Sequence, residues 1–522
     1  MSEISRRSVL SVLGAGAVAA ATGATAHALA SRSAPSGYLA EGPDNPTRVQ
    51  NRLPGSADWR IGAGGTVGAD DLTGRIAGYA ARPSVHVGES LDFHVSTDPA
   101  RSFHVEIYRL GDYGGLGARL AAVSPSLPGV RRAAPSTDPD TGMISCTWAP
   151  SWTLEVPGDW VSGAYLATFT TEDGQRSLTP FVVREDARRA DFLVVHPYST
   201  YQAYNQWPLD GRVGKSLYYG YGRHGAPSPA EVEGGDKRFD VHGFPIGYGD
   251  RARTVNFARP YSGVGLPQRI DLDYAFLQWA ERSGYDLSYS TSVDLQLGRV
   301  DPKRYRALVF SGHDEYWSRQ MRDTVSAAMA KGTHLAYMAA NNVYWHVRWE
   351  PDPNGTDVPA MTCYKTSPDP SPDASGPTCM WRDVMTGGDQ SEQTLLGVQY
   401  NGIPRADTAL VVTAADHWLW AGTGVREGEQ IPGIVGGEAD GFYAGSPRPA
   451  ATRHTLLSAS PYHAEGQASG PVYQHTSLYE TAQGAIVFDA ATFNWSLGLS
   501  QPDYADARIQ QATTNLFNRL RA

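Results

Sequence analysis

The densest group of reactive side chains follows an apolar segment in the middle of the chain. Leu308 to Phe310 is apolar, and the next seven positions include an imidazole, two carboxylates and two aromatic rings. His313 and Glu315 are two residues apart, so an extended turn can point both side chains the same way. Polar groups beside aromatic rings need a compensating proton, charge or metal. The turn is therefore suited to acid–base or metal chemistry.

The surrounding pattern predicts a strand, a tight turn and a helix. Ser318 suits a helix N-cap, and Met321 and Val325 then stand at the spacing of one buried face. In open α/β sheets, ligands bind in the crevice beyond the carboxyl ends of the strands. His313 and Glu315 are predicted to face such a crevice.

Further polar and aromatic clusters follow other apolar segments. They are Thr200 to Asn205 with Ser216 to Tyr219, Asn341 to Trp345, and Gly436 to Asp440. A tyrosine after a strand most often packs over the sheet edge, Asn341 is of a type that often turns the backbone, and a lone Glu438 in a Gly-rich turn is more often solvated. Patterning alone leaves both a hydrolase and a sugar-binding protein open.

Composition and missing motifs exclude several classes of function. The net charge is −10 and only five lysines are scattered along 522 residues, so no basic stripe for nucleic acid exists. Ser311 lacks the leading glycine of a GxSxG nucleophile elbow. None of the three cysteines follows a predicted strand. Chemistry by a metal or by carboxylates remains.

The predicted elements bring the clusters to one edge of a sheet. Strands are predicted at Phe192 to Val195, Tyr285 to Ser290, Ala307 to Phe310 and His334 to Ala339, and a helix at Asp271 to Ser283. Alternation of this kind is typical of a parallel sheet covered on both faces. Residues 188–522 are therefore predicted to form an α/β domain, with a loop insertion near 350–393.

The preceding residues have a different organisation. Residues 53–187 show period-two patterning with turns, which predicts an all-β, immunoglobulin-like sandwich of about seven strands. Residues 31–52 are rich in Pro, Ser and Asn and are predicted to be a linker. Residues 1–30 contain the pair Arg6 and Arg7 and an Ala/Gly-rich stretch, which predict a twin-arginine signal peptide and export from the cell. That stretch is too short and weakly apolar for a membrane anchor.

The cysteines suit an exported protein. Cys363 and Cys379 stand sixteen residues apart in a polar loop and are predicted to form a disulfide, which would stabilise the fold by about 3 kcal/mol. Cys146 is interpreted as a small buried apolar residue. No Cys/His spacing typical of zinc is present.

Several of these segments together resemble one known family. Phe310 to Trp317, followed a strand later by Asn341 to Trp345, resembles the carboxy-terminal domain of the N,N-dimethylformamidase large (beta) subunit. Gly437 to Asp440 and Phe493 to Ser496 fit the same family. The resemblance covers roughly residues 190–520. It implies a glutamine-amidotransferase-like (flavodoxin-like) α/β fold, hydrolysis of an amide C–N bond and a mononuclear ferric iron.

The resemblance also implies roles for single residues. The implied iron ligands are Tyr204, Tyr218 and Glu315, with Tyr201 and Tyr219 as alternative phenols; His313, Asn341 and Glu438 are implied catalytic residues; and Tyr201, Trp317 and Trp345 are expected to line the substrate site. Phenolate and carboxylate are hard anionic donors, which select a hard, highly charged ion such as ferric iron.

The sequence thus predicts an exported, metal-dependent amidohydrolase that acts on a linear amide or another small polar substrate. No nucleic acid and no stable membrane anchor are expected, and the chain is expected to be able to form a homo-oligomer. One alternative is a non-catalytic secreted glycan-binding protein, in which aromatic side chains stack on ligand rings. Another is a metal-free hydrolase that uses Glu315 with Glu438.

Overall fold

A computed structural model describes residues 42–222, 238–384, 389–467 and 470–522. The predicted signal peptide and the first part of the predicted linker lie outside the described residues. Across the described ranges, no helix combines the length and the hydrophobicity that a bilayer crossing requires.

The first part of the chain folds into short strands. They are β1 (Val67–Gly68), β2 (Ile76–Ala80), β3 (Ser84–His86), β4 (Ser90–Thr97), β5 (Phe103–Leu110), β6 (Ala118–Val123), β7 (Ser136–Thr137), β8 (Ile144–Ser145), β9 (Trp152–Glu155), β10 (Gly163–Thr171) and β11 (Gln175–Arg184). One sheet has the order β1-β11-β10-β5-β6 with β3 also paired to β11, and a second has the order β2-β4-β9. The Phe93 ring of β4 packs on Phe169 and Phe181 of the larger sheet, at centroid distances of 5.9 and 5.7 Å.

The remaining strands follow in chain order. They are β12 (Phe192–His196), β13 (Arg238–Phe239), β14 (Pro245–Ile246), β15 (Thr254–Val255), β16 (Leu287–Thr291), β17 (Ala307–Phe310), β18 (Tyr316–Ser318), β19 (His334–Tyr337), β20 (Trp345–Glu350), β21 (Ala360–Thr362), β22 (Gln399–Gly402), β23 (Thr408–Val411), β24 (Gln430–Val435), β25 (Ala439–Gly441), β26 (Arg453–Leu456), β27 (Ser460–Tyr462), β28 (Val472–Gln474), β29 (Ser477–Glu480) and β30 (Ile486–Asp489).

The described α-helices are mostly short. They are α1 (Pro46–Asn51), α2 (Tyr198–Tyr204), α3 (Ile270–Ser283), α4 (Ser292–Gln296), α5 (Arg319–Met329), α6 (Trp381–Val384), α7 (Gln393–Leu396), α8 (Asn494–Ser500) and α9 (Ala507–Leu520). Helix α3 ends at Gly284, whose φ of 76° is the left-handed conformation that glycine adopts without strain. Helix α5 begins after Ser318, whose side chain accepts a hydrogen bond from the Met321 N–H.

A seven-stranded sheet positions the residues of interest. Its order is β16-β12-β17-β19-β30-β29-β26. Strands β16, β12, β17, β19 and β30 run parallel to one another, whereas β29 is antiparallel to both β30 and β26. The carboxyl ends of the adjacent strands β12, β17 and β19 therefore lie at the same edge. The glutamine-amidotransferase-like and immunoglobulin-like fold assignments remain predictions.

The sheets of the first part pack directly against this sheet. One buried apolar cluster contains Trp59 and Leu166 from the first part together with Phe276 and Trp279 of α3. Across the same boundary, the buried Arg109 guanidinium and Glu281 carboxylate form an ion pair of 2.8 Å.

Part of the predicted linker is ordered structure. Helix α1 falls within it, and the Arg48 Nε donates to the carbonyl of Gly284 at 2.9 Å. Asn45 caps α1 through a hydrogen bond from the Arg48 N–H to its side chain. Linker composition did not reveal this helix, because its stability comes from docking onto the end of α3.

Candidate active site

Three neighbouring strand ends bring the predicted site residues together. Strand β12 leads into α2, which carries Tyr204; β17 leads into the turn with His313 and Glu315; and β19 leads to Asn341. The Thr200 hydroxyl on α2 accepts hydrogen bonds from the backbone N–H groups of Glu315 at 2.9 Å and Tyr316 at 3.3 Å. Helix α2 and the turn are therefore fixed relative to each other.

Two phenols and one carboxylate form a continuous chain of oxygen atoms. The Tyr204 hydroxyl donates to the Tyr218 hydroxyl at 3.0 Å, and the Tyr218 hydroxyl donates to Oε1 of Glu315 at 2.6 Å. The two phenol rings stack with centroids 4.4 Å apart. Burial, together with the charge of Glu315, raises the pKa of each phenol well above its ordinary value.

His313 lies beside this chain of oxygen atoms, and a backbone hydrogen bond fixes one of its two ring nitrogens. Its Nδ1 donates to the Ala340 carbonyl at 3.0 Å, because a carbonyl only accepts. Its Nε2 is 3.2 Å from Oε2 of Glu315 and 4.0 Å from Oε2 of Glu438. Burial by itself lowers the pKa of His313, but the charges of Glu438 and Glu315 outweigh burial and raise the pKa to about 9. A proton on Nε2 is therefore favoured by the negative charges of both carboxylates, of which Glu315 is the nearer.

Asn341 joins those two carboxylates. Its Nδ2 donates to Glu438 at 2.7 Å and to Oε1 of Glu315 at 3.3 Å, and its backbone N–H donates to Asp440 at 2.9 Å. Its φ of 52° is left-handed, a conformation that asparagine tolerates better than most residues. Glu438 follows β24, and burial raises the pKa of its carboxyl.

Sequence reasoning missed Lys365. This buried lysine comes from the predicted loop insertion, and its Nζ lies 3.1 Å from the centroid of the Tyr218 ring and 4.7 Å from that of Trp345. The Nζ has no hydrogen-bond partner among the described residues. Burial lowers the pKa of Lys365 to about 7. The only signal in the sequence was the rarity of lysine, which does not locate a side chain.

Two glycines allow the close approaches in this site. A Cβ atom on Gly312 would collide with the carboxylate of Asp273, and one on Gly437 would lie 2.5 Å from the Phe493 ring. Gly437 also has a φ of 71°. The residues next in sequence, His313 and Glu438, are thus placed by backbone positions that only glycine fits.

An open cleft reaches the site from solvent. Its lining includes Tyr201, Tyr204, His313, Glu438, Arg269 and Phe493. Polar and aromatic surfaces converge on a concave space beside groups with shifted pKa values, which is the usual character of an active site.

Two of the three predicted substrate-lining residues lie elsewhere. Trp317 is fully buried and packs on Phe310 and Tyr337, with centroids 5.2 and 6.3 Å away. Alternation in β18 instead turns Tyr316 toward the phenols, at 6.3 Å from the Tyr204 ring. These findings correct the prediction that Trp317 lines the site.

The other two aromatic residues have different positions. Trp345 lies behind Tyr218, to whose hydroxyl its Nε1 donates at 3.3 Å, and it is not on the wall of the cleft. Tyr201 does lie on that wall, and its hydroxyl donates to Asp273 at 2.5 Å. The Tyr201 hydroxyl therefore lies outside the chain of oxygen atoms, which favours Tyr204 over Tyr201 as the candidate ligand.

The predicted disulfide is not formed. Cys363 and Cys379 both carry free thiols, as does Cys146. The Cys363 thiol lies 3.7 Å from the His346 carbonyl, and the Cys379 thiol lies 3.5 Å from the Met380 carbonyl. Each sulfur has its own backbone contact, so the spacing of sixteen residues did not indicate a bond.

The oxygen chain fits a hard metal ion. Its separations of 3.0 and 2.6 Å are close to the roughly 2.8–3.0 Å edge of an octahedron with metal–oxygen bonds of about 2.0–2.1 Å. Oε2 of Glu315 is buried without a hydrogen bond of normal geometry. In the described part of the chain, no cluster of three or more His, Cys, Asp or Glu side chains could hold a metal ion. A set of metal ligands at this place would therefore have to include the phenol oxygens of Tyr204 and Tyr218.

Comparison with known proteins gives consistent relatives. The chain is 22% identical over 422 residues to the N,N-dimethylformamidase beta subunit of Alcaligenes sp, covering 72% of this chain and 55% of that protein. It is 24% identical over 225 residues to the subunit of the same name from Paracoccus aminophilus, covering 40% and 29%. The chain thus spans about half or less of the length of these curated relatives.

Solved structures and a family profile complete the comparison. A β-glucosidase from Listeria innocua is 10% identical, with a TM-score of 0.14 over 21% of this chain and 16% of that one, which carries no argument about the fold. The profile of the family described as N,N-dimethylformamidase beta subunit-like, C-terminal, matches residues 104–508. That match covers more than half of the chain and begins inside β5, well before residue 190. The chain therefore belongs to the N,N-dimethylformamidase beta subunit-like, C-terminal family.

Proposed function

We propose that this protein hydrolyses the C–N bond of an amide at a single iron ion held by Tyr204, Tyr218 and Glu315. The observation that carries the proposal is the chain of three oxygens from Tyr204, Tyr218 and Glu315, with separations of 3.0 and 2.6 Å, beside an open cleft. The names of the curated relatives support an amide as the substrate.

The ion would supply Lewis-acid chemistry, polarising the amide carbonyl and acidifying a water molecule. Phenolate and carboxylate oxygens suit this role, since three anionic ligands balance a ferric charge. Thr200 keeps Glu315 in register with α2 through its two backbone hydrogen bonds. The stacked rings of Tyr204 and Tyr218 fix the two phenol oxygens on one side.

His313, Glu438 and Asn341 would manage protons and charge. In the hydrolysis, a water oxygen bonds to the carbonyl carbon, the C–N bond breaks, and the nitrogen gains a proton. Glu438 would take a proton from water, and Nε2 of His313, 4.0 Å from that carboxylate, would return one to the leaving nitrogen. The Nδ2 of Asn341 would donate to the developing oxyanion in exchange for its longer contact with Glu315, and such an interaction is worth about 3 kcal/mol in comparable sites.

The remaining parts of the proposal concern the surroundings of the reaction. The substrate is a small amide that enters the cleft beside His313 and Glu438. Export by a twin-arginine signal and a homo-oligomeric assembly complete the proposal.

The deciding experiment is a metal and activity analysis of the full chain. The protein is purified without chelator, bound metals are measured by mass spectrometry, and hydrolysis of N,N-dimethylformamide is followed by formate release. We expect about one iron per chain and a visible phenolate-to-iron absorption band. Activity that survives complete iron removal would favour the metal-free mechanism with Glu315 and Glu438. Colourless, inactive protein that binds carbohydrate would favour the glycan-binding alternative.

A further inference from the structure

One basic residue of the cleft lies close to the proposed reaction centre. Arg269 directly precedes α3, is half-buried, and lines the same cleft as His313 and Glu438. It was not among the residues that the sequence singled out.

None of the described residues forms an ion pair or a hydrogen bond with the Arg269 guanidinium. The other arginine of the cleft, Arg405, has hydrogen-bond acceptors within the protein. Its guanidinium donates to the carbonyls of Ala464 at 3.0 Å and Gln467 at 2.5 Å. A partly desolvated guanidinium that lacks an acceptor favours binding of an anion, above all a carboxylate that it can meet with two hydrogen bonds.

The acidic residues of the cleft do not occupy this guanidinium. Glu438 accepts from Asn341 at 2.7 Å, and Asp407 accepts from the Tyr504 hydroxyl at 2.9 Å. Asp271 is 3% exposed, and its oxygens have no hydrogen bond of normal geometry, although the first N–H groups of α3 lie nearby. Burial raises the pKa of the carboxyls of Asp271 and Glu438, and the Arg269 charge acts on both from a distance in the lowering direction, without an ion pair.

The position of the guanidinium is fixed relative to His313. Its central carbon lies 5.2 Å from the centroid of the Phe493 ring, and that ring lies 4.8 Å from the His313 ring. The backbone of Arg269 has a φ of 63°, an uncommon conformation for a residue with a side chain. Strained positions of this kind concentrate at functional sites.

We propose that Arg269 selects amides that carry a carboxylate close to the amide group, so that the substrate class is an N-acylated amino acid of small size. This proposal rests on the proposed amide hydrolysis and narrows it. The competing explanation is that Arg269 only balances the charges of Glu438 and Asp271. That explanation requires the loss of Arg269 to affect every amide equally.

The test compares two amides that differ in one group. N-Formylsarcosine is N,N-dimethylformamide in which one methyl hydrogen is replaced by a carboxylate. Formate release from each is measured with the iron-loaded full chain and with Arg269→Gln and Arg269→Lys. We expect wild-type protein to prefer N-formylsarcosine in kcat/KM by at least about tenfold, Arg269→Gln to remove that preference, and Arg269→Lys to keep part of it. Arg405→Gln removes the same charge from the same cleft and should leave the ratio within about twofold.

A binding measurement separates this proposal from the proposed hydrolysis. Calorimetry on the Glu438→Gln protein, with and without Arg269→Gln, gives the affinity for each amide when turnover is suppressed. Tighter binding of N-formylsarcosine that depends on Arg269, without hydrolysis by wild-type protein, supports the carboxylate site and overturns amide hydrolysis. Equal affinities, or a preference that survives Arg269→Gln in correctly folded protein, overturn the carboxylate site.

Discussion

The hydroxyl of Tyr218 donates to Oε1 of Glu315 at 2.6 Å, although 97 residues separate the two side chains in sequence. Glu315 is almost completely buried, so this contact exists away from bulk water. Two acidic groups are held together there by one shared proton. An ion that replaces that proton would meet ligands already in position, which lowers the ordering needed for binding.

Glu315 and Glu438 should differ in what they control. Glu315→Gln removes one anionic ligand, so we expect the iron content to fall at least about tenfold, together with the activity. Glu438→Gln leaves the oxygen chain intact, so iron should stay near one per chain while kcat falls by about 10²–10⁴-fold. Metal analysis and formate release on both variants check this. Full iron content in Glu315→Gln would contradict the ligand assignment.

Two tyrosines on the same helix provide a matched pair. Tyr204→Phe removes an oxygen of the chain, whereas Tyr201→Phe removes a hydroxyl bound to Asp273. We expect Tyr204→Phe to weaken or abolish the visible absorption of the iron-loaded protein. Tyr201→Phe should keep the band and cost about 1 kcal/mol of stability through its lost hydrogen bond. Spectra of the two variants, with thermal unfolding as the second measurement, decide between them, and the reverse pattern would make Tyr201 the ligand.

Lys365 should change the energy of the absorption band through its effect on the Tyr218 ring, a proposed iron ligand. Its ammonium lies over the Tyr218 ring and stabilises electron density there. Lys365→Met removes that charge, so promotion of an electron from the phenolate to iron should need less energy. We expect the absorption band to move to longer wavelength with the iron content unchanged. A shift to shorter wavelength would contradict the proposed direction of the field.

Gly312 should tolerate no side chain. Gly312→Ala places a Cβ against the Asp273 carboxylate and displaces the neighbouring His313. We expect about 1–3 kcal/mol of destabilisation and a loss of activity. Gly445→Ala is the control, because a Cβ there meets no atom within 4 Å and its φ is not left-handed. Denaturant unfolding and formate release on both variants measure the difference, and equal behaviour would show that the turn can relax.

The thiol content tests the correction made for the cysteines. With Cys146, Cys363 and Cys379 all free, denatured protein should titrate three thiols without any reductant. Mass spectrometry after alkylation should find all three modified. A single reactive thiol would indicate that Cys363 and Cys379 become bonded in the protein as isolated.

Local sequence patterns predicted many of the helices and strands, whereas contacts between distant segments determine which side chains enter the candidate site. The helix expected at Asp271 to Ser283 is Ile270–Ser283 in the structure, because its apolar spacing and terminal glycine are local signals. His313 and Asn341 were placed together because they follow β17 and β19, which are neighbours in the parallel sheet. The carboxyl ends of parallel strands lie at one edge of a sheet, so this proximity follows once the alternating strands and helices indicate a parallel sheet.

Other features depend on contacts that sequence spacing does not encode. Lys365 reaches Tyr218 from an irregular loop, whose path no periodicity describes. Trp317 was expected to line the substrate site. Strand β18 begins only at Tyr316, after the turn that carries His313 and Glu315, and its alternation turns Trp317 into the core. Arg269 stands outside every cluster in the sequence and enters the cleft only because α3 begins there.

The amino-terminal sheets share one buried core with the rest of the protein, through Trp59, Leu166, Phe276 and Trp279. The Arg109–Glu281 ion pair crosses the same boundary and would leave an isolated buried charge on either side if the chain were cut there. The family match that begins inside β5 agrees with this, since it ignores the boundary as well. Replacing either part alone would therefore expose the shared core and separate the buried ion pair, so the two parts are expected to unfold together.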